Sequence, residues 1–127
     1  MEHRAFLMTG KSKRQFGQTL RETRVEKGFS LRKFAGVVGV SPTYLSQVEQ
    51  SNADPPTAER VRKMAEILGA NVDEWTALAG RVQEDLPGII QSRPDTIPEL
   101  LRTTKGLTPM QMRELLERAK KMKNKEE

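Results

Sequence analysis

The sequence lacks cysteine, contains a single histidine and has no long apolar run. Without cysteine no disulfide bond can form, and His3 alone cannot supply a histidine-based catalytic triad or a Cys/His metal site. No apolar stretch approaches the length that spans a membrane, so we expect no membrane insertion. The carboxylates lie mostly among predicted helix-surface charges, and no glycine-rich loop suited to phosphate is present. These absences argue against an enzyme and imply no cofactor.

The first residues, MEHRAFLMTGK, lack the longer apolar core and the cleavage signal of a secretory leader. We therefore expect a cytoplasmic protein in which residues 1–11 form a flexible N-terminal arm.

The chain is basic, with 22 Lys and Arg against 17 Asp and Glu among 127 residues. A basic balance favours a polyanionic partner. Positive charge crowds the first quarter, at Arg4, Lys11, Lys13, Arg14, Arg21, Arg24, Lys27, Arg32 and Lys33. We expect that end to lie beside phosphate. A second basic cluster, over residues 118–125, is interpreted as a solvated helix end that complements the helix dipole.

Residues 31–49 predict two short helices joined by a tight turn. On the first helix, apolar residues at helical spacing share one face: Leu31, Phe34, Ala35 and Val38. Gly39 follows, where a helix end favours a residue that tolerates left-handed backbone angles. Ser41 then caps a second helix with Pro42 at its first position. The chain therefore ends one helix and starts another within about three residues.

The second of these helices has an apolar inner side and a polar outer side. Leu45 and Val48 point inward. The opposite side, called the polar face below, carries Pro42, Thr43, Ser46, Gln47 and Gln50. Ala35 is small where the two helix axes cross, so the backbones can approach closely. Without further signals, such a face is usually only solvated surface.

From about Phe16 to Ala79 the sequence resembles the lambda-repressor/Cro-like (XRE) family of helix-turn-helix regulators. The resemblance is carried by the string SPTYLSQVE, by the continuation AEILG…VDEW, and by Ala35, Gly39, Leu45 and Val48 at the spacing of the motif. It implies an all-α fold, in which a five-helix DNA-binding domain over residues 12–80 is followed by a helical C-terminal segment, residues 81–127.

In that family the second helix of the motif enters the major groove. The resemblance assigns base contacts to Pro42, Thr43, Ser46 and Gln47, and phosphate contacts to Arg32, Lys33, Ser41, Tyr44, Gln50 and Asn52. Gln47 is the best single candidate, because a carboxamide can bond bidentately to adenine. Pro42 offers only an apolar contact. For Tyr44 we expect packing of its ring at the core edge as the main role and contact of its hydroxyl with a phosphate as the second.

The helix predicted over residues 12–27 places Phe16, Leu20 and Arg24 at successive i+4 positions, so an arginine occupies a core-facing position. Glu49 stands on the inner side of the helix that enters the groove. The family resemblance implies an ion pair between Arg24 and Glu49, and we expect these residues to support the architecture without touching a base.

Capping signals mark four further helix starts, at Thr57, Asn71, Thr96 and Thr108. Glu99 and Gln111 follow Thr96 and Thr108 by three residues, which is the spacing of a capping box. Trp75 lies at core spacing in the fifth helix, where a lone tryptophan is usually part of the core.

The last predicted helix carries an apolar stripe formed by Met112, Leu115, Leu116, Ala119 and Met122. Residues of the preceding segments could cover it within the monomer: Ile89, Ile90, Ile97, Leu100 and Leu101. We prefer coverage by a second copy, because members of the family usually read two half-sites as dimers. The tail from Gly106 also resembles the oligomerisation helices of Sin-type repressors, which implies that a protein antagonist with a similar helix could disrupt the dimer.

The sequence thus predicts a sequence-specific DNA-binding transcriptional regulator, a repressor that binds a two-fold symmetric operator as a homodimer. Two alternatives stay open. One is an antitoxin that binds DNA and masks a toxin with its C-terminal segment, and the other is a helical adaptor that makes protein contacts alone.

Overall fold

The computed structural model describes the backbone of residues 10–125 and the side chains of residues 15–125. All regular structure in this range is helical: α1 Gly10–Glu26, α2 Leu31–Val38, α3 Pro42–Glu49, α4 Ala58–Leu68, α5 Val72–Leu78, α6 Asp85–Ser92, α7 Thr96–Thr104 and α8 Pro109–Lys125. The all-α prediction is confirmed. The predicted N-terminal arm lies outside the described residues except for Gly10 and Lys11, which begin α1 slightly earlier than expected.

The turn between α2 and α3 follows directly from its residues. The Ser30 side chain caps α2 by accepting from the backbone N–H of Lys33, and Gly39 ends that helix at a φ of 91°. Two residues later, Ser41 Oγ accepts from the backbone N–H of Tyr44 at 3.0 Å and caps α3. The left-handed angle at Gly39 reverses the chain within so few residues because glycine has no Cβ to oppose it.

The chain forms two compact units, of which the first ends at Pro87 and the second begins at Gly88. In the first unit α1 packs on α3 and α5, α2 on α3 and α4, and α4 on α5. The rings of Phe16 and Trp75 meet edge to face with their centroids 6.0 Å apart. The core contains Phe16, Leu20, Phe34, Ala35, Val38, Leu45, Val48, Val61, Met64, Ala65, Leu68, Trp75 and Ala79. Trp75 is therefore a core residue, as predicted.

The first unit extends past the predicted boundary at residue 80. The Gln83 side chain is buried, accepts from Arg62 Nη2 at 2.6 Å and donates to Asp73 Oδ1 at 2.9 Å. These bonds attach the segment that follows α5 to α4 and α5.

In the second unit one predicted helix start is right and another is wrong. Thr108 and Gln111 form the expected capping box, each side chain accepting from the backbone N–H of the other residue. The predicted cap at Thr96 is wrong, because α7 is capped by Asp95 and Thr96 is its first helical residue. The Thr96 hydroxyl and backbone N–H both donate to the Asp95 carboxylate, and they hold the pKa of that carboxyl below its ordinary value.

Helix α6 was not predicted, because Pro87 and Gly88 within it both disfavour helix. Pro87 lies in the first turn, where a missing N–H costs no intrahelical hydrogen bond. No helix in the described part of the chain is long and apolar enough to cross a membrane.

Candidate nucleic-acid interface

Helix α3 has one buried side and one exposed side. Leu45 and Val48 are buried in the core of the first unit. On the polar face Pro42, Thr43, Gln47 and Gln50 are exposed and Ser46 is half-buried. The structure therefore brings all four predicted base-contacting residues to one accessible face.

The inner end of α3 is attached to α1 by a buried ion pair. Arg24 Nε donates to Glu49 Oε2 at 2.7 Å, and Arg24 Nη2 donates to Glu49 Oε1 at 3.0 Å. A third bond runs from Arg24 Nη1 to the carbonyl oxygen of Phe29 at 2.8 Å. This two-pronged geometry matches a planar guanidinium to a carboxylate and fixes their relative orientation. Both residues face inward, so neither is placed to contact a base.

Gly17 on α1 allows the same two helices to approach closely. A Cβ at this position would lie 2.6 Å from the carbonyl oxygen of Val48 and 2.8 Å from that of Glu49. Both distances are far below van der Waals contact, and both neighbours are backbone atoms. Sequence reasoning missed this residue. The one available signal was the presence of glycine inside a predicted helix, where it is less stable than alanine by roughly 0.5–1 kcal/mol.

The polar side chains at the end of α3 form a chain of hydrogen bonds. Gln50 Nε2 donates to Ser46 Oγ at 2.9 Å, and Asn52 Nδ2 donates to Gln50 Oε1 at 3.4 Å. Ser46 was predicted to contact a base, whereas Gln50 and Asn52 were predicted to contact phosphate. The structure thus links the two groups of residues.

The loop after α3 is held from a distant part of the sequence. Arg81 Nε donates to the carbonyl oxygen of Pro56 at 2.8 Å, and Arg81 Nη2 donates to that of Pro55 at 2.6 Å. Ser51, at the start of the loop, has a φ of 65°, an uncommon angle for a residue other than glycine. Sequence reasoning missed Arg81, because nothing in its neighbourhood links it to residues 51–56.

The predicted phosphate-contacting residues lie near the two ends of the helix-turn-helix. Arg32 and Lys33 are exposed in the first turn of α2. Ser41 is exposed and its oxygen caps α3, while the Tyr44 ring packs against the core and is half-buried. Further along α1, Arg21 is exposed as well, whereas the side chains of residues 11–14 lie outside the described part.

Comparison with known proteins agrees with this geometry. A family model described as a helix-turn-helix domain matches residues 15–78. The HTH-type transcriptional regulator SinR of Bacillus subtilis (strain 168) is 30% identical over 111 residues, which cover 87% of this chain and 97% of that protein. The chain belongs to the helix-turn-helix family of transcriptional regulators.

Two solved structures overlap with parts of this regulator. A crystal structure of SinR, the master regulator for biofilm formation, in complex with DNA is 32% identical, covers 47% of this chain and 95% of its own, and has a TM-score of 0.44. A complex of SinR protein with SinI protein is 27% identical, covers 86% of this chain and 98% of its own, and has a TM-score of 0.46. The family assignment is based on the sequence matches.

The apolar stripe of the regulator lies on α8. Met112 and Leu116 are 42% and 43% exposed, Met122 is 69% exposed, Ala119 is exposed and Leu115 is half-buried. Among residues 15–125, no group of three or more His, Cys, Asp or Glu side chains is arranged to hold a metal ion.

Proposed function

We propose that this transcriptional regulator is a repressor that binds a two-fold symmetric operator as a homodimer. The observation that carries the proposal is the polar face of α3, which is exposed on a helix whose inner side is buried and whose end is attached to α1 by the Arg24–Glu49 pair. A base-reading helix needs its backbone held in place, because the side chains must meet the base edges in a fixed register.

In this proposal the side chains divide into two classes. Thr43, Ser46 and Gln47 contact base edges in the major groove, with Pro42 offering an apolar contact to a thymine methyl group. Phosphate contacts come from residues at the helix starts and in the following loop, namely Arg32, Lys33, Ser41, Tyr44, Gln50 and Asn52. The formal charge of +5 favours association with a polyanion.

The dimer forms through the apolar stripe on α8, where exposed Met and Leu side chains need a partner. Two copies place two α3 helices on half-sites about one helical turn, roughly 34 Å, apart. A protein antagonist that presents a similar apolar helix binds the same stripe and competes with the second copy. The proposal places the protein in the cytoplasm with the DNA that it binds, and it assigns the protein no catalytic activity.

Selection of binding sites from a library of random DNA duplexes tests the proposal. We expect the unmodified protein to enrich one sequence with two-fold symmetry. On that sequence Gln47→Ala should cost about 1 to 3 kcal/mol, with little change on random DNA. Lys33→Ala should weaken binding to both DNAs and reduce the salt dependence, because it removes a phosphate contact rather than a base contact.

Failure to enrich any sequence would contradict operator binding. Equal losses on both DNAs for Gln47→Ala would remove that residue from base reading, and an unchanged salt slope for Lys33→Ala would remove Lys33 from the DNA backbone. Circular dichroism of each variant controls for folding.

A further inference from the structure

The hydrogen-bond chain at the end of α3 has a direction. Asn52 Nδ2 donates to Gln50 Oε1, and Gln50 Nε2 donates to Ser46 Oγ. Ser46 Oγ therefore acts as an acceptor in this series of hydrogen bonds, which leaves its own O–H available to donate elsewhere. An amide nitrogen carries two protons and a hydroxyl carries one, so unused donors are left at each of these three side chains.

Two of the unused donors lie side by side. The second proton of Gln50 Nε2 and the hydroxyl proton of Ser46 belong to heavy atoms only 2.9 Å apart. Both residues lie on the polar face of α3, one helical turn from each other. The pair thus presents two neighbouring donors. The Gln50 carbonyl oxygen accepts from Asn52, keeps a second lone pair, and lies at the other end of the amide from Nε2.

Guanine is the base whose major-groove edge matches two neighbouring donors. It presents two acceptors, N7 and O6, whereas adenine presents an acceptor beside an amino donor, and cytosine presents an amino donor. Arginine is the common side chain for guanine because it offers two donors in a fixed geometry. Ser46 and Gln50 together offer the same chemistry from two residues.

Water competes with these hydrogen bonds in the free protein, because Gln50 and Asn52 are exposed. Docking against DNA removes that water, and a buried polar group without a partner then costs free energy. The direction of these hydrogen bonds therefore matters most in the complex. A base that presents a donor to Ser46 would place that donor against the Ser46 hydroxyl, and neither group would have an acceptor.

We propose that Gln50 is a specificity-determining residue, which fixes Ser46 as a hydrogen-bond donor and reads a guanine jointly with it. The inference rests on the proposed operator binding and moves Gln50 from the phosphate-contacting class to the base-contacting class. Asn52 acts through Gln50 and is a positioning residue.

The test compares base preferences, position by position, for the unmodified protein and its variants, each selected on the random duplex library. Ser46→Ala and Gln50→Ala should both reduce the preference for guanine at the same base pair, by about tenfold. The double variant should lose no more than the larger single loss, because the two residues act as a unit. Gln47→Ala is the matched control on the same helix. Its effect should fall on another base pair and add to that of Gln50→Ala.

Gln50→Glu reverses the direction of the chain. Its carboxylate has no proton to donate and accepts from the Ser46 hydroxyl, so both donors toward the groove are lost. We expect the preferred base at that pair to change from guanine to cytosine or adenine, whose amino groups donate to a carboxylate. The added negative charge weakens binding to all DNA, so the readout is the ratio between bases and not the affinity.

Several outcomes would overturn the inference while operator binding stands. They are a selected site at which Ser46→Ala and Gln50→Ala change different base pairs, additive losses in the double variant, or a Gln50→Ala effect that is equal for every sequence. The last result would return Gln50 to phosphate contact. Enrichment of no sequence by the unmodified protein would instead overturn the proposed function, and the inference with it.

Discussion

The two units differ in where their apolar residues lie. In the first unit, large apolar residues from five helices converge on one buried core. In the second unit no described residue from Gly88 to Lys125 is buried. Its exposed large apolar residues are Ile89, Leu100, Leu101, Met110, Met112, Leu116 and Met122. The first unit can be stable by its own contacts, whereas the second leaves apolar surface that monomeric proteins usually cover.

Charge is arranged differently as well. In the first unit the Arg24–Glu49 pair is buried, with a shortest N–O distance of 2.7 Å. In the second unit the pairs within α8 are exposed, Arg118 with Glu114 at 3.1 Å and Lys120 with Glu117 at 3.8 Å. Exposed pairs contribute little, while removal of one partner from a buried pair leaves an uncompensated charge. The first unit therefore depends on single buried residues, and the second depends on what covers its apolar surface.

The largest expected effect is on the buried pair. Glu49→Ala leaves the Arg24 guanidinium buried with only the Phe29 carbonyl as a partner, and should lower the free energy of unfolding by about 3 to 5 kcal/mol. Urea unfolding followed by Trp75 fluorescence measures this change, because the single tryptophan lies in the core of the first unit.

Glu66→Ala is the matched control. Glu66 pairs with Arg62 at 3.8 Å on the exposed side of α4, also in the first unit, so its loss should cost no more than about 0.5 kcal/mol. Similar costs for the two variants would show that burial of the Arg24–Glu49 pair does not matter to the stability of the first unit.

The next effect concerns the apolar stripe on α8. Leu116→Asp places a charge in the proposed interface and should turn a dimer into a monomer in sedimentation equilibrium. Operator affinity should then fall by about a hundredfold or more, because the second α3 helix no longer docks at a high effective concentration. Trp75 fluorescence should report an unchanged first unit.

Met110→Asp supplies the control for charge and lost apolar area. Met110 is 83% exposed at the start of α8 and lies outside the stripe, so this variant should stay dimeric. If Leu116→Asp still sediments as a dimer, the copies associate through another surface, and the stripe serves a different partner.

Local patterns predicted much of the first unit. Helical spacing and the cap at Ser41 located α2 and α3, and the i+4 position of Arg24 pointed to a buried partner. Such features depend on residues within one or two turns of each other, so they can be read along the chain. The identity of Glu49 as that partner came from the family resemblance.

Contacts between distant residues were not predictable in the same way. Arg81 donates to the carbonyl oxygens of Pro55 and Pro56. Predicting this contact requires knowing that the end of α5 lies beside the loop. At α7 both Asp95 and Thr96 have side chains that can cap a helix. Which of them does so depends on the residue at which the helical backbone begins, and the sequence pattern does not determine that. In the second unit Ile89 and Leu100, which could have covered the α8 stripe within a monomer, are exposed. Coverage by a second copy stays the preferred prediction.

Gly17 tests how closely α1 and α3 pack in the first unit, and its effect should be smaller than that of Glu49→Ala. Gly17→Ala improves helix propensity, yet its Cβ would lie 2.6 Å from the carbonyl oxygen of Val48, a backbone atom that cannot rotate away. The α1–α3 contact must therefore open, at a net cost of about 1 to 3 kcal/mol in the free energy of unfolding. The same Trp75 fluorescence measurement detects it.

Gly36→Ala separates packing from propensity. Gly36 lies inside α2 with nothing within 4 Å of an added Cβ, so alanine there should stabilise the first unit by about 0.5 to 1 kcal/mol. Opposite signs for the two substitutions mean that the glycine at position 17 is required by the approach of α1 to α3. If Gly17→Ala also stabilises the unit, α1 can move away from α3 without loss, and the position of α3 does not depend on that contact.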